Sequence, residues 1–304
     1  MIGVILPAGS PESCHPVTST RTLDSVPVAN VPLGDFLATC LETTGFEVKQ
    51  KPQPGTLSLY LPAHTWVSAE CLGQLSEVCR SSVLRDSSGD ALAWVSESVE
   101  VPERAAVVAT DEDSFRIRFP WDLLRVNEMA VEKILGSERI DEPPSGTRVE
   151  GRLRLGPGTR LLPGVYVEGD VIVGENCTIG PNCYIRGRTS IGAGCRIGQA
   201  VEIKNSIILS GSTIGHLSYC GDSIVCENVN FGAGTIAANF RHDGSNHRSM
   251  VQGTLVDTGR RKFGTVVGDG VHTGIHTSIY PGRKLWPHTS TRPGEIVRYD
   301  LQAG

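Results

Sequence analysis

The sequence lacks the features that suit a protein to nucleic acids, membranes or an oxidising compartment. Its 304 residues carry 28 Lys and Arg against 33 Asp and Glu, so no basic footprint for nucleic acid is present. No apolar run reaches the length of a membrane span, and the opening MIGVILPAG has no basic start of a secretory signal. The nine cysteines include no CxxC pair, which argues against a zinc ribbon or a disulfide framework. We therefore expect a cytoplasmic protein with small-molecule ligands, and neither nucleic acid nor membrane as a partner.

What the sequence does contain is a six-residue repeat. Aliphatic residues recur at this interval without a break, and a second series of apolar or small residues lies two positions before each member. A period of six fits neither a helix nor a lone strand, and it indicates a β-helix of hexapeptide repeats with two inward positions per short strand. The aliphatic series is Leu155, Leu161, Val167, Val173, Ile179, Ile185, Ile191, Ile197, Ile203 and Leu209. The second series is Leu153, Thr159, Val165, Val171, Cys177, Cys183, Thr189, Cys195, Val201 and Ile207.

Glycines at 156, 169, 174, 180 and 192 mark corners, where a positive φ is often needed. The repeat breaks after Leu209 and resumes at Val267. Irregularity in a solenoid usually marks its working surface, because insertions there project as loops on one face. We therefore expect the functional residues near this break.

The first half of the chain predicts an α/β domain over residues 1–145, followed by the β-helix over 146–304. An alternation of strands and helices favours a parallel or mixed sheet with covering helices. The expected strands are 2–6, 57–61, 91–96, 104–109 and 114–119, and the expected helices are 32–44, 68–80 and 121–135.

Residues 5–33 resemble the opening of sugar-1-phosphate nucleotidylyltransferases, and PWDLL at 120–124 looks like the closing segment of that domain. The family cradles a triphosphate with a glycine-rich loop, an Arg and a Lys. Here Pro11 replaces a loop glycine, while Ser13 and Leu23 stand where the Arg and the Lys belong. We expect a truncated, degenerate nucleotidyltransferase-like domain whose transfer activity is lost, kept for packing or for binding a nucleotide-sugar.

The second half resembles the acetyltransferase domain of bifunctional N-acetylglucosamine-1-phosphate uridylyltransferase / glucosamine-1-phosphate acetyltransferase. The matching motifs are VEIKNS (201–206), HLSY (216–219), GD (221–222), NVNFGAGTI (228–236) and Asn239. TGRRKFG (258–264) and GDGVHTGI (268–275) are closer to the archaeal-type branch. The resemblance implies a left-handed β-helix, a homotrimer, and acetyl-CoA as co-substrate with no metal required for acetyl transfer.

The reaction implied is N-acetylation of an amino-sugar 1-phosphate. Because an amine must lose a proton before it attacks, a base with a pKa near neutrality is useful, and His216 matches the family's base. Tyr219 and Asn239 complete the catalytic set. Substrate contacts are implied for Arg186, Glu202, Lys204 and Asn230, with His247 or Arg248 in the position of a family Lys. Cofactor contacts are expected at Ala233, Gly234, Gly274, Arg260, Arg261 and Lys262.

Two other functions are open. A catalytically silent β-helix trimer could bind a sugar nucleotide in a regulatory or scaffolding role. A zinc hydratase resembling γ-class carbonic anhydrases would need three histidine ligands. The available histidines are His216, His242, His247, His272 and His276.

Overall fold

The computed structural model describes residues 1–53, 55–136 and 143–302. It divides the chain into two compact units. The first is made of Met1–Pro11, Arg21–Val26 and Val31–Arg118. The second is made of Glu12–Thr20, Pro27–Asn30 and Phe119–Gly304. The predicted fold class, a mixed α/β region followed by a left-handed parallel β-helix, is confirmed.

The first unit is built on a six-stranded mixed sheet. In sheet order its strands are Glu47–Val48, Ile2–Leu6, Ser58–Pro62, Ala91–Ser96, Ser82–Arg85 and Ala106–Val108. The first three are parallel to one another, and Ala91–Ser96 is antiparallel to both of its neighbours. Helices α1 (Leu33–Thr43) and α2 (Ala69–Ser76) and a 3-10 helix (Leu23–Ser25) complete the unit, with short strands Val31–Pro32, Thr65–Trp66 and Phe115–Arg116.

Helix α1 buries Leu33, Phe36, Leu37, Cys40 and Leu41, the spacing of one helical face. It ends at Thr43, and Gly45 follows with a φ of 91° that only glycine adopts easily. The strand Ser82–Arg85 is absent from the sequence prediction. Its partner across the hairpin, Ala91–Ser96, was predicted at its observed bounds.

The second unit contains helix α3 (Pro120–Leu135) and a β-solenoid of about 8 turns over residues 148–297. Its first three strands are long and bend across two faces. They are Arg148–Leu155, Tyr166–Val173 and Tyr184–Ile191. Beyond them the two faces carry separate strands. The first face continues as Glu202–Lys204, Tyr219–Gly221, Ile236–Ala237, Ser278–Ile279 and Ile296–Val297. The second face continues as Ile207–Ile208, Ile224–Val225, Val266–Val267 and Lys284–Leu285.

The third face consists of Arg160–Leu161, Thr178–Ile179, Arg196–Ile197, Thr213–Ile214 and Asn230–Phe231. Residues of this unit from the N-terminal part of the sequence form 3-10 helices Glu12–Cys14 and Val17–Ser19 and the strand Pro27–Val28. No helix among the described residues is long and apolar enough to span a membrane.

The inward series predicted from the repeat forms the solenoid core. Val167, Ile185 and Ile203 alternate with outward residues along the first face and are at most 2% exposed. Cys177, Cys183 and Cys195 are equally buried, and all nine cysteines are free thiols. Cysteine acts here as a small apolar side chain.

The predicted corner glycines have two different physical reasons. Gly169 and Gly180 have positive φ values, as expected. Gly156, Gly174 and Gly192 do not, and the expectation of positive φ is wrong for them. A Cβ on any of these three would lie 2.5 to 2.6 Å from backbone atoms of the next coil, so close approach is what requires glycine.

The change in the repeat comes earlier than predicted. Equivalent residues of the first face lie 18 residues apart up to Glu202, and then 17 apart from Glu202 to Tyr219 and Ile236. Ile208, rather than Leu209, pairs with Ile191. One residue is thus lost between Lys204 and Ile207, and Leu209 is not the inward member of the series, because Ile208 takes that position.

The interruption is an insertion between Ala237 and Thr265. It contains an antiparallel hairpin, Arg248–Val251 with Thr254–Asp257. After it, Val267, Ile279 and Leu285 are buried as predicted.

Candidate active site

Five of the predicted site residues lie together on the first face of the solenoid. Tyr184 pairs with Glu202, and Arg186 pairs with Lys204, so these side chains stand on neighbouring coils. Tyr219 follows on the next coil, directly opposite Glu202. Since alternate residues of a strand face the same side, and Ile203 and Cys220 point into the core, Glu202, Lys204 and Tyr219 point outward. Asn239 follows the next strand of this face.

Each predicted cation of this face is paired with a carboxylate. Arg186 donates from Nε and Nη2 to Glu202 Oε1 at 2.8 and 2.7 Å, and its guanidinium also lies 5.2 Å from the Tyr184 ring centroid. Lys204 Nζ lies 2.8 Å from Asp222 Oδ2. The Asp222 side chain is 4% exposed, so this second ion pair is nearly buried. A buried charge without its partner is costly, which keeps the two side chains together.

At the candidate site, the residue type at the corner that follows these strands changes from glycine to Asn or Asp. In the first coils it is occupied by Gly151, Gly169 and Gly187, all with positive φ. Asn205 and Asp222 then take the same position with φ values of 47° and 51°. Asn and Asp tolerate the left-handed region best among residues with a side chain, but they still cost free energy there. Backbone strain of this kind often marks a functional position.

The corner side chains form a polar ladder. Asn205 Nδ2 donates to Asp222 Oδ1 at 3.2 Å, and Asn239 Nδ2 donates to Asp222 Oδ2 at 2.6 Å. The Asp222 carboxylate therefore holds Lys204 and Asn239 at the same time. Asp222 is a site residue that sequence reasoning missed, although the glycine series interrupted at 205 and 222 was a signal for it.

Tyr219 is packed into this ladder. Gly221 makes room for it, because a Cβ there would lie 2.4 Å from the Tyr219 hydroxyl oxygen and 2.6 Å from Asn239 Nδ2. Burial, followed by the charges of Glu202 and Asp222, raises the pKa of Tyr219 to about 12. The phenol therefore keeps its proton throughout the neutral range and can donate a hydrogen bond.

His216 lies at the corner that precedes the first face, and it is exposed. The predicted cofactor residues lie along the same corner in the following coils. Gly234 N donates to His216 O at 2.7 Å, and His276 N donates to Ala233 O at 2.8 Å. A Cβ on Gly232 would lie 2.7 Å from the Gly274 carbonyl carbon, so Gly274 belongs to the same stack. His216, Ala233, Gly234 and Gly274 thus share one edge of the solenoid.

The structure places the other predicted residues elsewhere. Asn230 is exposed on the third face. Arg248 is exposed on the inserted hairpin, whereas His247 is 1% exposed and its Nε2 lies 2.9 Å from Asn239 O. Burial lowers the pKa of His247. Of the two residues considered for the family Lys, His247 therefore supports the Asn239 backbone, and Arg248 is the one accessible to a ligand.

The three cationic residues at 260–262 also differ in exposure to solvent. Arg260 Nη2 pairs with Glu128 Oε1 of helix α3 at 2.7 Å, with both side chains about three-quarters buried. Arg261 and Lys262 are exposed, and Arg261 Nε donates to Gly244 O. Only these last two present their charge to solvent.

Comparison with known proteins finds a matching family model and relatives of this chain. Residues 167–290 match the family model described as the GMPPB C-terminal domain. The chain is 38% identical over 185 residues to the bifunctional sugar-1-phosphate nucleotidylyltransferase/acetyltransferase of Sulfurisphaera tokodaii, a match covering 61% of this chain and 46% of that protein. The predicted resemblance is confirmed.

A second relative is the bifunctional protein GlmU of Methanococcus aeolicus, 37% identical over 183 residues, covering 60% of this chain and 44% of the relative. The chain thus spans less than half the length of these curated relatives. Among solved structures, the polysialic acid O-acetyltransferase OatWY matches 51% of this chain and 81% of its own at 15% identity, with a TM-score of 0.21.

The histidines considered for zinc do not form a metal-binding group within the part of the chain that the structure describes. Among the described residues no three His, Cys, Asp or Glu side chains form a group that could hold a metal ion. His247 is engaged with Asn239 O, and His216 and His276 belong to the exposed corner.

Proposed function

We propose that this chain transfers the acetyl group of acetyl-CoA to the amine of an amino-sugar 1-phosphate, with His216 as general base. The observation that carries the proposal is the set of fixed polar groups on one solenoid face, where Arg186, Lys204, Tyr219 and Asn239 stand next to the corner that carries His216. Placed donors of this kind suit a small phosphorylated, hydroxyl-rich substrate.

In the proposed reaction the sugar amine attacks the thioester carbonyl carbon. A C–N bond forms and the C–S bond breaks, His216 accepts the proton lost by the amine, and protonated His216 returns that proton to the departing sulfur, so that CoA leaves as the thiol. Arg186 and Lys204 bind the phosphate with N–H groups that Glu202 and Asp222 leave unused. Tyr219 and Asn239 orient the sugar.

The oxyanion of the tetrahedral intermediate needs a backbone donor. Within the loop 232–234, the amides of Gly232 and Gly234 donate to carbonyls of Thr273 and His216. Within the described residues the Ala233 N–H has no backbone acceptor, and we assign it as the donor to the acetyl oxygen. Arg261 and Lys262 are the residues of their cluster that we assign to CoA phosphates, since Arg260 is held by Glu128.

The test is release of CoA thiol from acetyl-CoA with glucosamine 1-phosphate, galactosamine 1-phosphate and UDP-linked amino sugars. We expect one of the sugar 1-phosphates to be acetylated, and His216→Ala to lower kcat by about 100-fold or more. His288→Ala, an exposed histidine at another corner, is the matched control and should retain activity. If no amine substrate releases CoA above the level of His216→Ala, the proposal fails, and the silent scaffold is favoured.

We also propose a homotrimer. The first face and its corner expose large apolar side chains, among them Leu217 (65% exposed), Ile236 (40%), Ile275 (51%) and Ile296 (50%). Such a row beside the site suits burial against another copy of the chain. The double variant Ile236→Glu/Ile275→Glu should sediment as a monomer. A wild-type protein that sediments as a monomer would contradict the trimer.

Loss of nucleotidyl transfer is part of the same proposal. Leu23, at the position of the family Lys, is fully buried, and Leu23 N donates to Gly9 O at 2.7 Å. An apolar side chain held in the core cannot neutralise a phosphate. We expect no pyrophosphate release from UTP or dTTP with sugar 1-phosphates, and release of pyrophosphate would overturn this part. Cytoplasmic residence stays a prediction.

A further inference from the structure

We propose that Glu128 of helix α3 is a positioning residue for the sugar-phosphate site, acting through Asn205 on the Asp222 carboxylate. The inference rests on the proposed function for its kinetic consequence. Its structural content is independent of that function, because the side-chain partners of Glu128 are Asn205 and Arg260, and neither is assigned to catalysis or to the cofactor.

The first step is the orientation of the Asn205 amide. Asn205 Nδ2 donates to Glu128 Oε1 at 2.8 Å and to Asp222 Oδ1 at 3.2 Å. A carboxylate can only accept hydrogen bonds, so two carboxylates flanking one amide fix its NH₂ group between them. Without Glu128, the Asn205 side chain loses the contact that keeps its donor group turned toward Asp222.

The charges of the two carboxylates are balanced by neighbouring cations. Glu128 Oε1 also accepts from Arg260 Nη2 at 2.7 Å, and Asp222 is balanced by Lys204. The result is an alternating chain of cation, carboxylate, amide, carboxylate and cation that runs from Arg260 to Lys204. Alternation of this kind lets partly buried charges coexist, and removing one member leaves its neighbours unbalanced.

A second series of hydrogen bonds connects Arg260 to Asn239. The Arg260 backbone carbonyl accepts from His247 N at 2.9 Å, and His247 Nε2 lies 2.9 Å from Asn239 O. Asn239 Nδ2 in turn donates to Asp222. Asp222 and Asn239 are therefore tied to helix α3 by two routes, one through Asn205 and one through Arg260 and His247, and both routes meet at Glu128.

A neighbouring residue supplies a matched control. Glu132 lies one turn further along helix α3 and pairs with Arg188 at 2.8 Å, with both side chains about half exposed. Arg188 approaches Asp170 rather than Asp222. Glu132→Ala removes a carboxylate and an ion pair from the same helix without touching the network.

The experiment compares Glu128→Ala, Glu128→Gln and Glu132→Ala in full-length protein. Loss of a hydrogen bond to a partly buried charged group should raise the KM for the sugar 1-phosphate about tenfold in Glu128→Ala, with the KM for acetyl-CoA unchanged. Glu128→Gln keeps an acceptor oxygen for Asn205 and should restore most of the affinity. Glu132→Ala should have wild-type kinetics.

A crystal structure of ligand-free Glu128→Ala separates this proposal from the proposed function. We expect the Asn205 amide to be rotated and the Asn205–Asp222 contact to be lost. If the variant keeps the Asn205, Asp222 and Lys204 contacts unchanged, the positioning role is wrong whatever the enzyme assay shows. If wild-type protein acetylates no amine but the contacts are lost as expected, only the proposed function fails. An equal rise of both KM values, or the same rise in Glu132→Ala, would also overturn the positioning role.

Discussion

The regular coils of the solenoid and the coils that carry the candidate site use the same corner in different ways. In residues 148–191 the corner after the first face holds glycine, and the outward side chains Tyr166 and Tyr184 stack with ring centroids 5.1 Å apart. In residues 202–239 the corner holds Asn205, Asp222 and Asn239, and the coil is one residue shorter. The glycine corner has no side chain to present, whereas the second corner presents polar groups.

The corner of the candidate site costs more conformational free energy than the glycine corner of the regular coils. Non-glycine residues in the left-handed region cost about 1 kcal/mol or more each. At Asn205 and Asp222 this cost is offset by hydrogen bonds to Lys204, Asn239 and Glu128. At this corner, positive φ and the polar side chains of the candidate site coincide in the same two coils, whereas other corners have positive φ outside the site, as at Asn176, Asn182 and Ala200.

The largest effect is expected from placing a side chain at a regular corner. Gly151 has a φ of 140°, and a Cβ there would lie 2.1 Å from Gly169 O, a backbone atom that cannot move aside. Gly151→Ala should lower the free energy of unfolding by more than about 3 kcal/mol. Urea unfolding followed by circular dichroism measures this loss.

Gly253 is the control for conformation without crowding. Its φ is 79°, but apart from its two chain neighbours no atom of the described residues lies within 4 Å of the position of a Cβ. Gly253→Ala should cost only about 1 kcal/mol. Equal losses in the two variants would show that φ alone, rather than close packing of the coils, requires glycine at Gly151.

A smaller loss, visible mainly in activity, is expected at the site corner. Asp222→Asn preserves shape and tolerance of the left-handed region but leaves Lys204 without its counter-charge. We expect kcat/KM for the sugar 1-phosphate to fall about 30-fold, since a nearly buried charge loses its partner.

Asp170 gives the matched change in a regular coil. It accepts from Arg152 Nε and Nη2 at 2.8 and 2.5 Å and is 16% exposed. Asp170→Asn should lower the melting temperature by a few degrees and leave kinetics intact. If Asp170→Asn impairs catalysis as much as Asp222→Asn does, the division between structural and functional coils is wrong.

The six-residue period of the sequence predicted which residues of the coils point inward. Inward positions such as Cys177 and Ile185 were readable because a six-residue period repeats whatever the outer residues are. The contraction between Lys204 and Ile207 was not readable, because Ile207, Ile208 and Leu209 are all aliphatic and only the pairing of Ile208 with Ile191 decides between them.

The site was predictable where a motif is contiguous and not where a contact joins distant segments. Lys204, His216 and Tyr219 stand in recognisable motifs. Glu128 meets Asn205 across 77 residues, and no local pattern on helix α3 distinguishes it from Glu132. Long-range polar contacts of this kind depend on the packing of the helix on the solenoid, which a single sequence does not encode in any local signal.

The smallest effect is expected at Lys284, a buried lysine on the second face of the solenoid. Lys204 is held by a carboxylate, whereas Lys284 is 2% exposed with its Nζ 5.9 Å from the Trp121 ring centroid. Burial lowers the pKa of Lys284 to about 8, and the nearby Asp300 opposes this only in part. A charged lysine therefore destabilises the folded state near neutral pH.

Burial of Lys284 makes the stability of the protein depend on pH. Below pH 8 Lys284 is protonated in both states and the full penalty applies, while above pH 8 the folded protein releases its proton before the unfolded chain does. Stability from this group thus rises with pH, by roughly 1 kcal/mol between pH 8 and 9. Burial raises the pKa of Cys14 from 9.0 to about 12 and acts in the opposite direction above pH 9, so the measurement belongs below that value. Lys284→Met should be more stable than wild type at pH 7.5, and this advantage should shrink by roughly 1 kcal/mol as the pH approaches 9. Unfolding curves that stay parallel across this range would show that Lys284 is not charged inside the fold.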